Sequence, residues 1–432
     1  MNKYIKNASW IIVCRIGQSL VNLIIGMISA RYLGPSNYGL INYAASVVAF
    51  VIPIMQLGLS KTLVQELIER PDREGEVLGT ALLLNIISAF CCVGSVYLFL
   101  QFSNAGDELT VLVGVLYSIS LIFQSGEILQ YWFQAKLISK YTSVVSLAAY
   151  CVVALYKVYL LIAQKPVAWF ALSNSLDFLL ISAALIIIYN KIGKQRLKFS
   201  FRLGKIMLHR SKHYIISEMM VTIFAQTDRV MLKHLINETE TGYYSAAVAC
   251  VGVTGFIYVA IIDSLRPAIL EAKHEQSPQY EVRMVQLYSI ITYLALLQSI
   301  VMTLLAQPIV MVLYGADYMS SVLPLRIVVW YTTFAYYGSV RNVWILAEGK
   351  QKYLWIINLM GASANVLLNI LLIPSLGAAG AAIASLLTQF FTNVIVGFIL
   401  KPLRYNNTLM IKGLNPMPLI RYVRLKLSAK KK

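Results

Sequence analysis

The chain has 432 residues, 58% of them hydrophobic and 13% charged, and carries a formal net charge of +18. A soluble domain is typically about 45–50% apolar and about 25% charged, so the composition excludes an ordinary water-soluble fold and points to lipid as the solvent. The surplus of Lys and Arg would suggest nucleic acid in a soluble protein, but its distribution along this chain argues otherwise.

From residue 8 to residue 400 the sequence repeats apolar stretches of roughly 18–25 residues, each long enough to cross a bilayer as a helix. Hydrocarbon offers the backbone no hydrogen-bond partner, so such stretches must be helical. The spacing predicts about twelve spans, at 8–30, 38–58, 77–102, 109–133, 142–163, 167–189, 214–235, 242–262, 284–313, 322–346, 354–373 and 376–400. This is the pattern of an all-α polytopic membrane protein. Lys3 and Lys6 precede the first apolar run and no small-residue cleavage site follows it before Arg31, so it reads as a retained helix.

Ionisable groups inside a span are costly and usually face a cavity or a partner. In the first span Arg15, Gln18, Ser19 and Asn22 share one helical face. Pro53 should kink the second. Glu127 stands in the fourth span with Gln130 and Gln134, Lys157 in the fifth and Asp177 in the sixth. Glu218, Thr222, Arg229 and Lys233 line one face of the seventh, and Asp228, next to Arg229, must point elsewhere. In the tenth span Arg326, Trp330, Thr333, Tyr337 and Arg341 share a face; the eleventh carries Asn358, Asn365 and Asn369. The economical reading is a wet lumen lined by polar and aromatic side chains. Arg15 and Arg326 read as the deep cations. An arginine fork grips phosphate oxygens bidentately, so a positive lumen suits an anionic head group. A structural reading stands beside this one: Lys233, Arg341 and Glu218 near helix ends can snorkel to the interface, and Lys157 with Asp177 can form a buried pair.

The even-numbered links and both tails hold about 29 of the Lys and Arg residues, the odd-numbered links about two, Arg31 and Lys165. By the positive-inside rule both termini face the cytoplasm, and the densest basic stretches, 191–212 and 401–432, lie beside anionic lipid head groups rather than nucleic acid. The expected organisation is an N-terminal six-helix bundle (1–190), a basic cytoplasmic linker (191–212), a C-terminal six-helix bundle (213–400) and a basic cytoplasmic tail (401–432). A shift of about 203 residues lays Gly39-Leu40-Ile41-Asn42-Tyr43-Ala44 on Gly242-Tyr243-Tyr244-Ser245-Ala246-Ala247. Parallel repeats of six spans pack about an axis along the membrane normal, with a central cavity between them.

No Walker-type phosphate loop is present, and the four histidines His209, His213, His234 and His274 do not form a ligand set. All five cysteines fall in apolar runs, so no disulfide framework is suggested. The sequence therefore predicts no cofactor, no metal and no enzymatic activity.

Arg31-Tyr32-Leu33-Gly34-Pro35-Ser36-Asn37-Tyr38-Gly39, Gln226-Thr227-Asp228-Arg229-Val230-Met231-Leu232, Leu313-Tyr314-Gly315-Ala316-Asp317-Tyr318 and Pro374-Ser375-Leu376-Gly377-Ala378-Ala379-Gly380-Ala381 resemble the motifs of Wzx-type polysaccharide flippases. These belong to the multidrug/oligosaccharidyl-lipid/polysaccharide (MOP) exporter superfamily, whose fold is MATE-like. The resemblance spans nearly the whole chain. It implies translocation of undecaprenyl-diphosphate-linked oligosaccharide repeat units, such as those of O-antigen or capsule, across the bacterial inner membrane. It further implies other polysaccharide-assembly proteins as partners, and coupling to a proton or sodium gradient, for which Glu127, Asp177, Asp228 and Glu218 are the candidates. Three other readings stay open: a MATE-like small-molecule exporter, a lipid II flippase, and, from a different class, a membrane glycosyltransferase or polymerase. The short outer links weigh against the last.

Overall fold

The computed structural model describes residues 3–417, without the side chains of residues 3–13, 15 and 16. Among the described residues the chain is helical and has no strand. It divides into two compact units, Met1–Lys233 and His234–Lys432.

The first unit opens with α1 (Lys3–Met55), 53 residues interrupted by one non-helical residue, Gly34 (φ 71°, ψ 170°). At 1.5 Å per residue such a run measures about 80 Å, far more than the ~30 Å of hydrocarbon. It therefore holds two crossings, turned at Gly34-Pro35, inside the link expected between the spans 8–30 and 38–58. Then follow α2 (Leu59–Glu69), α3 (Glu74–Ser103), α4 (Glu108–Ala135), α5 (Lys140–Ile162), α6 (Val167–Ile192) and α7 (Phe201–Leu235). One core joins Tyr43, Val47 and Met55 of α1 to Ala89, Val96 and Leu100 of α3. A second joins Leu59, Leu63 and Leu67 of α2 to Val77, Leu78, Trp132, Phe133, Tyr189, Leu203 and Met207.

The segment 191–212, expected as a linker, is bound into this unit. The Lys198 amide donates to the Gly75 carbonyl (3.0 Å), the Ser200 amide to Thr80 Oγ1 (3.0 Å) and the Ser211 hydroxyl to the Leu57 carbonyl (2.7 Å). The approach is close enough to require glycine. A Cβ on Gly75 would stand 2.3 Å from the Arg196 carbonyl oxygen, and one on Gly79 2.5 Å from that of Lys198.

The second unit comprises α8 (Glu238–Gly252), α9 (Gly255–His274), α10 (Gln279–Leu304), α11 (Ala306–Leu313), α12 (Val322–Ala347), α13 (Gln351–Ile399) and α14 (Arg404–Gly413). Helices α8 and α9 together have the length and apolarity of a span and are bent by 43° at their join, where the Thr254 hydroxyl donates back to the Val251 carbonyl (2.9 Å). Beside the bend Tyr258 stacks on Tyr336 with centroids 3.6 Å apart. The span runs on to His274, twelve residues past the expected end at 262. Helix α13, 49 residues long, breaks at Gly377 (φ 53°, ψ −132°) and carries a π-helical turn, Phe391–Ile395. Within the expected tail, α14 packs into the core through Leu409 and Met410.

Seven helices among the described residues are long and apolar enough to cross a membrane, and the bent pair makes an eighth. Two of the seven, the run broken at Gly34 and the run broken at Gly377, each have length for two crossings. With the more polar α7 and α12, the expected spans fall on helix, except that 242–262 is divided between α8 and α9 and 284–313 is broken at Leu305 between α10 and α11. The protein is a multi-pass membrane protein.

The glycine contacts give a test. Gly79→Ala presses a methyl into the backbone of Lys198, whereas Gly26 in α1 has no heavy atom within 4 Å of a Cβ position. Gly79→Ala should lower stability by about 1–3 kcal/mol, and Gly26→Ala should leave it unchanged or raise it by up to about 1 kcal/mol. Thermal unfolding of the two purified variants reads the difference.

Candidate functional site

A polar cluster forms inside the first unit, and an irregular helix positions it. Midway along α4 the backbone tightens to a 3₁₀ turn, Ser125–Leu129, which contains Glu127. Such a turn loses its regular i→i−4 bonds. The neighbouring α6 takes up part of the slack: Ser182 donates to the Phe123 carbonyl (2.6 Å) and Ser175 to that of Leu116 (3.4 Å). Gly126 lets the helices close, since a Cβ there would lie 2.7 Å from Ser182.

Between those serines α6 carries Asp177, only 7% exposed. Its Oδ1 is buried with no hydrogen-bond partner among the described residues. Lys157 and Glu127 lie within electrostatic reach of it, as do Tyr117 and Tyr150. No nitrogen of Lys157 comes within 4.0 Å of Asp177 as an ion pair, so the cluster is a loose constellation rather than a salt bridge. On α1 the exposed Asn22 meets the Tyr150 hydroxyl, which links the Gln18–Asn22 stripe to the cluster; Gln18 is half-buried. The Arg15 side chain lies outside the described residues.

Of the other acidic candidates, Glu218 pairs with Lys61 of α2 (3.0 Å), one step away through Tyr131, which senses both Glu218 and Glu127. Asp228 is buried at the far end of α7. Near it Arg229 donates to Gln226 Oε1 (2.9 Å), which also accepts from Ser46 of α1 (3.0 Å). Lys233 pairs with Asp107 (3.1 Å). Asp107 also caps α4 through the Thr110 amide (3.0 Å). Partial burial pushes this carboxyl up, but the bonds from Thr110 and Lys233 outweigh it and hold its pKa below the ordinary carboxylate value.

In the second unit the α12 stripe turns toward α10 and bonds to it as a ladder. Trp330 Nε1 donates to Thr303 (3.0 Å), Thr333 bonds Ser299 (3.1 Å) and Tyr337 bonds Thr292 (3.0 Å). At its foot Arg341, 6% exposed, donates to the Thr392 carbonyl (2.7 Å) in the π turn of α13. Asn407 of α14 donates to the Val394 carbonyl (2.7 Å) in that turn. A π turn lifts carbonyls out of the regular ladder, and these two side chains satisfy them.

Arg326 stands one turn into α12 and is exposed, not deep in a span as expected; the helix starts at Val322, where the expected span starts, so residue 326 is near the end of the span by its own bounds. It lines a pocket of about 400 Å³ with Glu240, Ser320, Ala378 and Ala379. Glu240 accepts from the Ala378 amide (2.6 Å) just past the break at Gly377. Sequence reasoning missed Glu240, Tyr150 and Lys61. Glu240 sits in the first turn of α8, where an acid reads as an ordinary helix start, and the other two gain meaning only from partners distant in sequence. Among the described residues no group of three or more His, Cys, Asp and Glu side chains could hold a metal.

Two helical units, buried ionisable groups in apolar spans and helices broken within them define a polytopic protein of the transporter type of fold. The chain belongs to the polysaccharide biosynthesis protein family, whose model matches residues 4–273. It is 21% identical over 400 residues to the capsular polysaccharide biosynthesis protein CapF of Staphylococcus aureus, covering 89% of this chain and 96% of that one. It is also 24% identical over 229 residues to an uncharacterized membrane protein of Methanocaldococcus jannaschii, covering 50% of this chain but only 45% of that one. Its fold is shared with solved membrane transporters: the inward-facing structure of a multidrug resistance MATE family transporter of the MOP superfamily superposes with a TM-score of 0.68 at 14% identity, covering 91% of this chain and 96% of that one. The inward closed structure of the lipid II flippase MurJ superposes with a TM-score of 0.69 at 14% identity, covering 95% and 92%.

Removing the Arg341 guanidinium orphans the Thr392 carbonyl. Arg341→Met should cost about 1–3 kcal/mol, read as a lower unfolding temperature in detergent.

Proposed function

We propose that this protein flips undecaprenyl-diphosphate-linked oligosaccharide repeat units from the cytoplasmic to the outer face of a bacterial inner membrane, by alternating access and driven by an ion gradient. Membership of the polysaccharide biosynthesis family, on a fold shared with a lipid II flippase and a multidrug transporter, carries the reading. The relative named for capsular polysaccharide supports a surface glycan as the product; O-antigen is the alternative within the same reading. The protein acts as a carrier, not an enzyme, with both termini cytoplasmic, as the basic links favour.

The physics is that of a charged head group and an apolar tail. An isolated charge in hydrocarbon costs tens of kcal/mol by Born estimates, so a diphosphate-sugar head group needs a polar route while its polyprenyl tail stays in lipid. Gln18, Asn22, Lys157 and Arg326 are the proposed head-group contacts that the structure leaves least committed to internal bonds, with Arg15 joining them from the α1 stripe. Arg229, Trp330, Tyr337 and Arg341 are already engaged and act by shaping the walls. For the ion, Asp177 and Glu127 are the first choice: an orphan carboxylate oxygen beside a second carboxylate offers a place for a proton or a sodium ion. Glu218 and Asp228, both on α7, rank behind them.

The test is complementation of a strain lacking its own repeat-unit flippase. Asp177→Asn and Glu127→Gln should each lower surface polysaccharide by tenfold or more, roughly the loss of about 1.4 kcal/mol in a coupled step, with unchanged amounts of inserted protein. Wild-type polysaccharide in both variants would reject the coupling site. Purified protein in liposomes that fails to move a prenyl-diphosphate oligosaccharide yet extrudes cationic dyes would reject the flippase in favour of the small-molecule exporter.

A further inference from the structure

The segment 191–213 holds eight Lys and Arg residues and no acid, and the structure shows what its fold does with them. Its inner side is fixed. Leu203, Met207 and Ser211 are buried at 3%, 0% and 0% exposure, and the preceding extended stretch is bonded to Gly75 and Thr80. Its outer side is the opposite face of the same helix. Arg202, Lys205, His209 and Lys212 follow i, i+3, i+7 and i+10, a single stripe, and all four are exposed. None of them pairs with a carboxylate among the described residues. Arg210, at the edge, is held instead by the buried Glu66 (2.7 Å) and by Glu69 (3.0 Å). At the head of the stripe Phe199 and Phe201 are 50% and 79% exposed, and Ile206 beside it 38%.

The positive-inside rule accounts for the number of these charges. It does not account for two bare phenylalanines next to them, nor for a backbone held so tightly that glycine is required beneath it. Cations in a row, with aromatic and aliphatic side chains at one end, match the chemistry of a membrane interface. Anionic head groups take the charges, and apolar side chains enter the acyl boundary. We infer that this first-unit platform is a docking surface for anionic phospholipid of the cytoplasmic leaflet, with Arg202, Lys205, His209 and Lys212 contacting head-group phosphates and Phe199 and Phe201 wedged into the boundary. The inference is independent of what the protein carries.

The test uses the full-length purified protein in mixed phosphatidylglycerol–phosphatidylcholine nanodiscs or micelles, with the ratio of the two lipids retained on the protein measured by native mass spectrometry. Basic residues beside an anionic leaflet attract its lipids, so the triple variant Arg202→Gln/Lys205→Gln/Lys212→Gln should cut the preference for phosphatidylglycerol about fivefold or more, and Phe199→Ser/Phe201→Ser should reduce the total lipid retained. A smaller change in the triple variant, with wild-type elution and unfolding temperature, overturns the inference. Displacement of phosphatidylglycerol from the wild type by farnesyl diphosphate at equal concentration also overturns it, because the platform would then serve the cargo's diphosphate. Should the triple variant fail to fold, Lys205→Glu alone gives the same reading.

Discussion

A backbone inside hydrocarbon has to find every hydrogen bond within the protein, and most of the unusual features of this chain answer to that demand. A regular helix meets it alone. Departures from the regular helix need help, and at three of those described above a partner from another helix supplies it. Where α4 tightens to a 3₁₀ turn, Ser182 reaches the Phe123 carbonyl. Where α13 breaks at Gly377, Glu240 takes the Ala378 amide. Where the same helix widens to a π turn, Arg341 and Asn407 take the carbonyls of Thr392 and Val394. At Gly34 the chain reverses between two crossings of α1, and the need does not arise in the same form because the turn lies between spans.

This sorts the charged residues by task. Arg341 and Glu240 are committed to backbone groups, Lys233 and Asp107 to each other, and Arg229 to Gln226. Removing the charge that satisfies a buried backbone group, as Arg341 does, leaves that group orphaned, so charge at such positions is a folding requirement before it is a functional one. What remains is a short set: Asp177 with its orphan oxygen, Glu127 and Lys157 near it, and Arg326 open to a pocket. The first three share the first unit with the 3₁₀ turn, so the irregular backbone and the uncommitted charges coincide in one place.

Much of the fold was legible in the sequence, because hydrophobic length and the bilayer's thickness are directly related. Every expected span falls on helix, two of them across a break, and the chain reverses at Gly34 within the link expected at 31–37. Three helical pieces were invisible: α2, the opening of α7 from Phe201, and α14. They are short or polar pieces packed into the cores of their own units through residues such as Leu63, Met207 and Leu409, and a hydropathy reading is blind to such packing. The Arg326–Arg341 stripe shows a second limit. Periodicity established that these side chains share a face, but not which neighbour that face meets. A ladder to Thr303, Ser299 and Thr292 and a lumen require the same spacing. The 3₁₀ and π turns were also out of reach, since their stability comes from serines, an arginine and an asparagine on other helices.

The coincidence of Asp177 with the 3₁₀ turn has a mechanical consequence. A buried polar atom without a partner costs on the order of 1–3 kcal/mol, and a single small ligand at Oδ1 removes that cost. Under the proposed coupling, a proton or sodium ion bound there would therefore favour the packing of α6 against α4 by a comparable amount. Such a ligand shifts an equilibrium only by its differential affinity for the two arrangements. One satisfied oxygen is enough for a shift of about tenfold, and the nearby Lys157 and Glu127 make the site's net charge, and with it the preferred arrangement, sensitive to a single added cation. The glycine at 126 and the serines at 175 and 182 keep that contact close, so the effect of an occupied Asp177 is delivered to the one stretch of α4 whose hydrogen bonding already departs from the regular helix.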